Sequence, residues 1–132
     1  MRKIGLGLLI SITMLMAELQ NIWVTPDFTE KNIKIIDIRT PSEWKETGIV
    51  KGAYTLMFFD EQGRFDVPGF LEQLNKIVKK DEQFALICRT GSRTTEVSKF
   101  LSEQMGYNVI NLMGGMVRSE EHTSELQSRQ SI

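Results

Sequence analysis

Phe84-Ala85-Leu86-Ile87-Cys88-Arg89-Thr90-Gly91-Ser92-Arg93-Thr94 decides the reading of this 132-residue chain. Four apolar residues run into the only cysteine, a polar turn with a glycine follows, and Thr94 to Met105 reads as a helix. A short apolar run closed by turn residues is a buried strand. The cysteine is therefore expected where a strand ends and a helix begins. In open α/β sheets that is the crevice beyond the carboxyl ends of the strands, where ligands bind.

The chemistry of the turn follows from its residue types. Backbone N–H groups in a tight turn before a helix converge into an anion-binding nest. The first N–H groups of the helix have no internal partner, and its dipole adds positive potential. A thiol held there is expected to ionise more easily than a free one, whose pKa is about 8.5. Arg89 and Arg93 add fixed positive charge nearby, and Gly91 permits a backbone with φ > 0. A cysteine after an apolar run can equally be a core residue, but Arg89, Thr90, Gly91, Ser92 and Arg93 are poor core material. The functional reading is a thiolate nucleophile ringed by donors for an anionic substrate.

Elements alternate along the rest of the chain. Thr25-Pro26 opens a short helix to about Lys31. Ile33 to Ile38 is a β-branched strand, and Thr40-Pro41-Ser42-Glu43 is a capping box that starts a helix to about Glu46. Ala53 to Met57 reads as a short strand, Asp60-Glu61-Gln62-Gly63-Arg64 as a turn, and Pro68 to Lys79 as an amphipathic helix. Gly106 closes the helix after the cysteine turn, and Asn108 to Leu112 is the last strand. Alternating strands and helices predict an α/β fold with a mostly parallel sheet covered on both faces. Asp37 and Arg39 end a strand on the same edge as Cys88. They can shape the crevice, or pair with local backbone or with Glu43. Trp44, Met105, Met113 and Met116 read as core, Gly114-Gly115 as a tight turn near the cysteine loop, and Glu72/Lys76 and Glu96/Phe100 as solvated or packing helix faces.

Four segments, in order, resemble the rhodanese family. Cys88-Arg89-Thr90-Gly91-Ser92-Arg93 is similar to its C-R-x-G-x-R loop, and Ile35-Ile36-Asp37-Ile38-Arg39 to its (I/V)-D-(V/I)-R strand. Glu43-Trp44 with Gly48-Ile49-Val50-Lys51-Gly52-Ala53 resembles its E-(Y/F/W) … G-H-I-P-G-A segment, with Ile49 in place of the histidine and Lys51 in place of the proline. Asn111-Leu112-Met113-Gly114-Gly115 resembles its L-x-G-G. The resemblance runs from about Val24 to Val117. It implies a rhodanese-like three-layer fold and a sulfurtransferase that carries sulfur as a persulfide on Cys88, with Arg89, Thr90, Gly91, Ser92 and Arg93 as the substrate-binding loop and Asp37 and Arg39 as support. Its partners would be a small anionic sulfur donor such as thiosulfate and a thiophilic acceptor, with no metal and no organic cofactor. Two other readings stay open. One is a persulfide carrier that delivers sulfur to a partner protein. The other is a phosphatase or arsenate reductase related by fold, although those phosphatases place five residues between cysteine and arginine and this chain has four between Cys88 and Arg93.

The ends read differently from the middle. Met1-Arg2-Lys3 and the apolar run Ile4 to Met16, closed by Ala17, have the layout of a secretory signal peptide over residues 1–17. The run is short for a membrane span of about 20 residues, though an uncleaved anchor is the alternative. A periplasmic or secreted location is expected. The tail Arg118–Ile132 is polar and reads as the translation of a sequencing adapter, hence as non-native. His122, the only histidine, lies in it and is given no role. Residues 18–117 then form one rhodanese domain of ordinary size, about 100 residues. With a net charge of −1 the chain has no basic bias toward nucleic acid or an anionic membrane surface.

Overall fold

The computed structural model describes residues 17–122 and 127–128. At its centre lies β5 (Phe84–Ile87), with all four side chains buried. A strand that is apolar on both faces requires a layer on each. With β1 (Leu19–Trp23), β2 (Lys34–Asp37), β4 (Tyr54–Thr55) and β6 (Val109–Met113) it makes a five-stranded sheet of order β1-β6-β5-β2-β4, parallel throughout. The short β3 (Ile49–Val50) stands apart and pairs antiparallel with β7 (Gln127–Ser128).

Side chains alternate across the sheet, so β5 feeds two cores. Phe84 and Leu86 pack with Ile36, with Phe70 and Leu74 of α2 (Val67–Ile77), and with Val97 and Leu101 of α3 (Ser92–Glu103). Ala85 and Ile87 pack on the other face with Ile35, Phe28 and Met116, the last from α4 (Gly115–His122). Cys88, one residue past β5, returns to the α2/α3 side. The expected α/β fold with helices on both faces is the one found.

Local signals place most of the helix ends. Thr40 and Glu43 form the reciprocal capping box of α1 (Pro41–Thr47). Asp66 caps α2 by accepting from the Gly69 N–H at 3.2 Å. After α3, the Gly106 N–H donates to Ser102 O at 3.2 Å and the Tyr107 N–H to Leu101 O at 3.0 Å, with Gly106 left-handed at φ 79°. These two bonds satisfy carbonyls that the helix end would leave orphaned.

Several expectations need correction. Thr25 does not cap. Its hydroxyl donates to Asp27 Oδ1 at 2.6 Å, and the segment Pro26–Glu30 is a tight 3-10 turn. The strand expected over Ala53–Met57 contracts to Tyr54–Thr55. Helix α3 begins at Ser92, two residues before the expected Thr94, because Gly91 at φ 104° serves as its N-cap. β1 had no counterpart in the sequence reading. It is an edge strand with polar Gln20 and Asn21 inside it, and it is defined by its register on β6, Leu19↔Val109 through Trp23↔Met113. The leader expected over residues 1–17 lies, all but Ala17, outside the described residues, among which no helix is long and apolar enough to cross a membrane. α4 runs on past Val117 to His122, and Arg118 donates from Nε to Val24 O at 3.1 Å.

Candidate active site

The end of β5, the following loop and the first turn of α3 meet around the buried Cys88. The Cys88 Sγ accepts the Gly91 N–H at 3.2 Å and sits 3.6 Å from Thr94 Oγ1. The Thr94 and Thr95 hydroxyls both donate to Gly91 O, at 3.1 and 2.7 Å. These two bonds hold the 91–92 peptide carbonyl on the helix side, while the Gly91 N–H, in the preceding peptide, faces the sulfur. Cys88 and Thr94 are fully buried, whereas Arg89, Thr90 and Ser92 are exposed. The thiol is thus the floor of the loop and Arg89 its rim. Every residue of the expected loop is brought together. Thr94 is an addition that the sequence reading passed over as the start of a helix.

A second clamp comes from α4. The Met116 N–H donates to Cys88 O at 2.8 Å and the Val117 N–H to Arg89 O at 2.9 Å. These first-turn donors have no partner within their own helix, and the loop carbonyls satisfy them. The approach is possible only because position 115 lacks a side chain. A Cβ on Gly115 would lie 2.4 Å from Cys88 O and 2.7 Å from Arg89 O, with φ at 57°. Gly114-Gly115 is therefore the turn that seats the loop, as the tight-turn reading expected. Gly115→Ala is expected to destabilise the protein by about 1–3 kcal/mol through backbone strain and to displace the loop. Urea denaturation checks the first effect and the rate of Cys88 modification the second. Unchanged values for both would refute this account of the clamp.

The loop is also braced from β2 and α1. Arg93 grips Glu43 with both ends of its fork, Nη1 to Oε1 at 2.9 Å and Nη2 to Oε2 at 2.8 Å. Glu43 is at once the capping-box residue of α1, accepting the Thr40 N–H at 3.1 Å. Its charge balances that of Arg93, leaving Arg89 as the cation displayed at the rim. Asp37 and Arg39 form a buried ion pair, Nη2 to Oδ2 at 2.8 Å, and Arg39 also donates to Gly48 O at 2.7 Å and Thr47 Oγ1 at 2.8 Å. The two pair chiefly with each other, a pairing the sequence reading did not name, and Arg39 also holds local backbone at Gly48. Asp37 and Arg39 support the crevice from beneath by tying β2 to α1. Arg39, Glu43, Glu46, Arg89 and Met116 line a cavity of about 180 Å³ on the α4 side of the loop.

The Arg93 guanidinium, helped by the Thr40 N–H, holds the Glu43 carboxyl down from 4.5 to about 2. A depressed folded-state pKa contributes stability above the unfolded value, and that contribution is lost as pH falls through the folded value. The contribution from Glu43 is therefore present above 4.5 and disappears toward 2. Glu43→Gln should lower the denaturation midpoint at about pH 6, and the gap to the parent should shrink by about pH 3. A gap that stays constant between the two would contradict this assignment.

Comparison with known proteins agrees with the fold. A family model described as a rhodanese-like domain matches residues 23–122. "Putative sulfurtransferase YtwF" of Bacillus subtilis is 32% identical over 94 residues, which span 71% of this chain and 80% of that protein. "Protein HIGH ARSENIC CONTENT 1, mitochondrial" of Arabidopsis thaliana is 27% identical over 99 residues, covering 74% of this chain and 58% of that protein. Among solved structures, the rhodanese-like domain of Alr3790 from Anabaena superposes with a TM-score of 0.62 at 14% identity, over 89% of this chain and 81% of that one, a likeness of fold alone.

Proposed function

The chain belongs to the rhodanese-like domain family, and from that premise we propose that it transfers sulfane sulfur from an anionic donor such as thiosulfate to a thiophilic acceptor through a persulfide on Cys88. The observation that carries this reading is a strand-end cysteine whose sulfur accepts the Gly91 N–H at 3.2 Å and is followed by an exposed Arg89 that has no ion-pair partner among the described residues. The Cys88 thiolate attacks the outer sulfur of thiosulfate. A new S–S bond forms on Cys88, the S–S bond of the donor breaks, and sulfite leaves with the electron pair. Charge developing on the transferred sulfur is met by backbone N–H groups of the loop and the first turn of α3. Arg89 draws the donor in, and Arg93, locked to Glu43, keeps the loop in shape. The acceptor then attacks the outer sulfur of the persulfide, and the electron pair returns to Cys88.

Thiosulfate:cyanide transfer followed through thiocyanate, with intact mass recorded before cyanide is added, tests this. Turnover together with a gain of one sulfur is the expected result. A persulfide that no small acceptor removes would indicate a carrier serving a partner protein. Absence of both would refute sulfur transfer. The name of the Arabidopsis relative makes arsenate the second substrate to offer in that case.

A further inference from the structure

The face of the sheet on which Cys88 packs carries a second feature beside the loop. Beyond β4 the chain folds back on itself, bridging Phe59 to Phe65 in an antiparallel pair. The turn is held by Asp60, whose carboxylate accepts from the Gln62 and Arg64 N–H groups at 2.9 and 2.8 Å, and Glu61 accepts from Ser42 at 2.7 Å. This hairpin is built, and it carries aromatic rings. Phe58 stacks on Phe65 with centroids 5.6 Å apart and meets Phe59 and Phe70 edge-on, each at 4.8 Å. Phe65 is 58% exposed despite its size.

Between the hairpin and α3 lies a cavity of about 240 Å³ lined by Phe58, Phe59, Phe65, Val67, Val97 and Phe100, with Glu96 at its edge. Phe58 and Val97 are packed in the same cluster as Cys88, so the chamber lies on the side of the sheet to which the thiol points. It shares Phe59 and Glu96 with a cleft whose other walls include Glu61, Ser92 and Arg93. Arg93 is committed to Glu43, so the entrance presents carboxylates with no free cation among its lining residues. The sequence reading had assigned Glu96 and Phe100 to a plain helix face.

We infer that this chamber is the acceptor subsite, and that it selects a thiol with an apolar carbon body and no carboxylate. The inference rests on the sulfur-transfer reading. The chamber is below drug size, about 300 Å³ and upward, and so suits a single ring or short alkyl group. A carboxylated thiol such as glutathione would bring its carboxylates against Glu61 and Glu96 in a cleft whose lining cation, Arg93, is already held by Glu43. In the transfer step the acceptor thiolate RS⁻ attacks the outer sulfur of the Cys88 persulfide. The bond RS–S forms, the bond from Cys88 to that sulfur breaks, and Cys88 leaves as the thiolate.

The test loads the full chain with thiosulfate, verifies the persulfide by intact mass, and follows unloading by benzyl mercaptan and by glutathione at equal thiolate concentration. Benzyl mercaptan is expected to lead by about tenfold or more in kcat/KM, the size of discrimination an apolar pocket gives. Glu96→Lys should narrow that ratio by raising the glutathione value, and Phe65→Ala should narrow it by lowering the benzyl mercaptan value. Glu72→Lys, on an exposed part of α2, should leave it unchanged. Equal rates for the two thiols on the loaded protein, or a ratio that neither Glu96→Lys nor Phe65→Ala moves, overturn the subsite alone. Failure to load any sulfur on Cys88 overturns the transfer reading and the subsite together.

Discussion

Cys88→Ser is expected to abolish sulfur transfer, by about ten-thousand-fold or more, while the fold stays intact. In the proposed mechanism the step is covalent, and no other side chain can replace the atom that would hold the sulfur. Cys88 is the only cysteine in the chain, so no second thiol can take over. The structural cost is small by contrast. A serine hydroxyl can accept the Gly91 N–H and donate to Thr94, the two partners of the thiol. Exchanging one buried donor–acceptor group for another of similar shape changes stability by about 1 kcal/mol. Thiocyanate production and intact mass read the first effect, and a urea titration the second. Residual turnover within about a hundredfold of the parent would mean that Cys88 is not the sulfur carrier. A collapse of stability would mean that the thiol is chiefly a packing residue.

Asp37→Ala is expected to have the largest effect on stability. Asp37 and Arg39 are 0% and 1% exposed, and their charges are taken fully out of water. Removing one member leaves the guanidinium buried with neutral partners only, at a cost of about 3–5 kcal/mol. A domain has in total about 5–15 kcal/mol, so the variant should unfold at much lower urea and lose ordered α1. Because α1 carries Glu43 to Arg93, activity should fall with it. Pairing Asp37→Leu with Arg39→Met should recover much of the loss, since replacing both charges by apolar groups of similar volume is often neutral. A cost below about 1 kcal/mol for Asp37→Ala would show that water or backbone groups compensate Arg39, and that the pair does not hold α1 in place.

The two variants separate what is local in this site from what is not. The Cys88 loop was legible because its signal is contiguous: an apolar run, a sharp stop, a glycine and a helix. The capping box at Thr40–Glu43 was legible for the same reason, and its reciprocal bonds are present. Glu43 was read only as a cap because its second role depends on Arg93, fifty residues away. Thr94 was read as helix start because nothing in its spacing marks the hydroxyl as facing the sulfur rather than solvent. β1 escaped notice because an edge strand with polar residues in it lacks the apolar alternation by which strands are read. Its backbone bonds to β6 define it, and these have no local signature.

The sequence by itself determined the class of fold and the place of Cys88 at the end of the central strand, before the turn that opens the next helix. Periodicity, caps and the positive φ of Gly91 are short-range properties, and short-range properties are written in consecutive residues. Only the tertiary structure decided how that loop is held. Arg93 is matched to Glu43, Arg39 is buried against Asp37, the α4 donors Met116 and Val117 seize the carbonyls of Cys88 and Arg89, and the Phe58–Phe65 hairpin lies over the thiol's side of the sheet. Each of these contacts outside the Asp37–Arg39 pair joins segments far apart in the chain. Which side chains meet there depends on strand order and register, because a shift of one residue would turn every side chain of a strand to the opposite face.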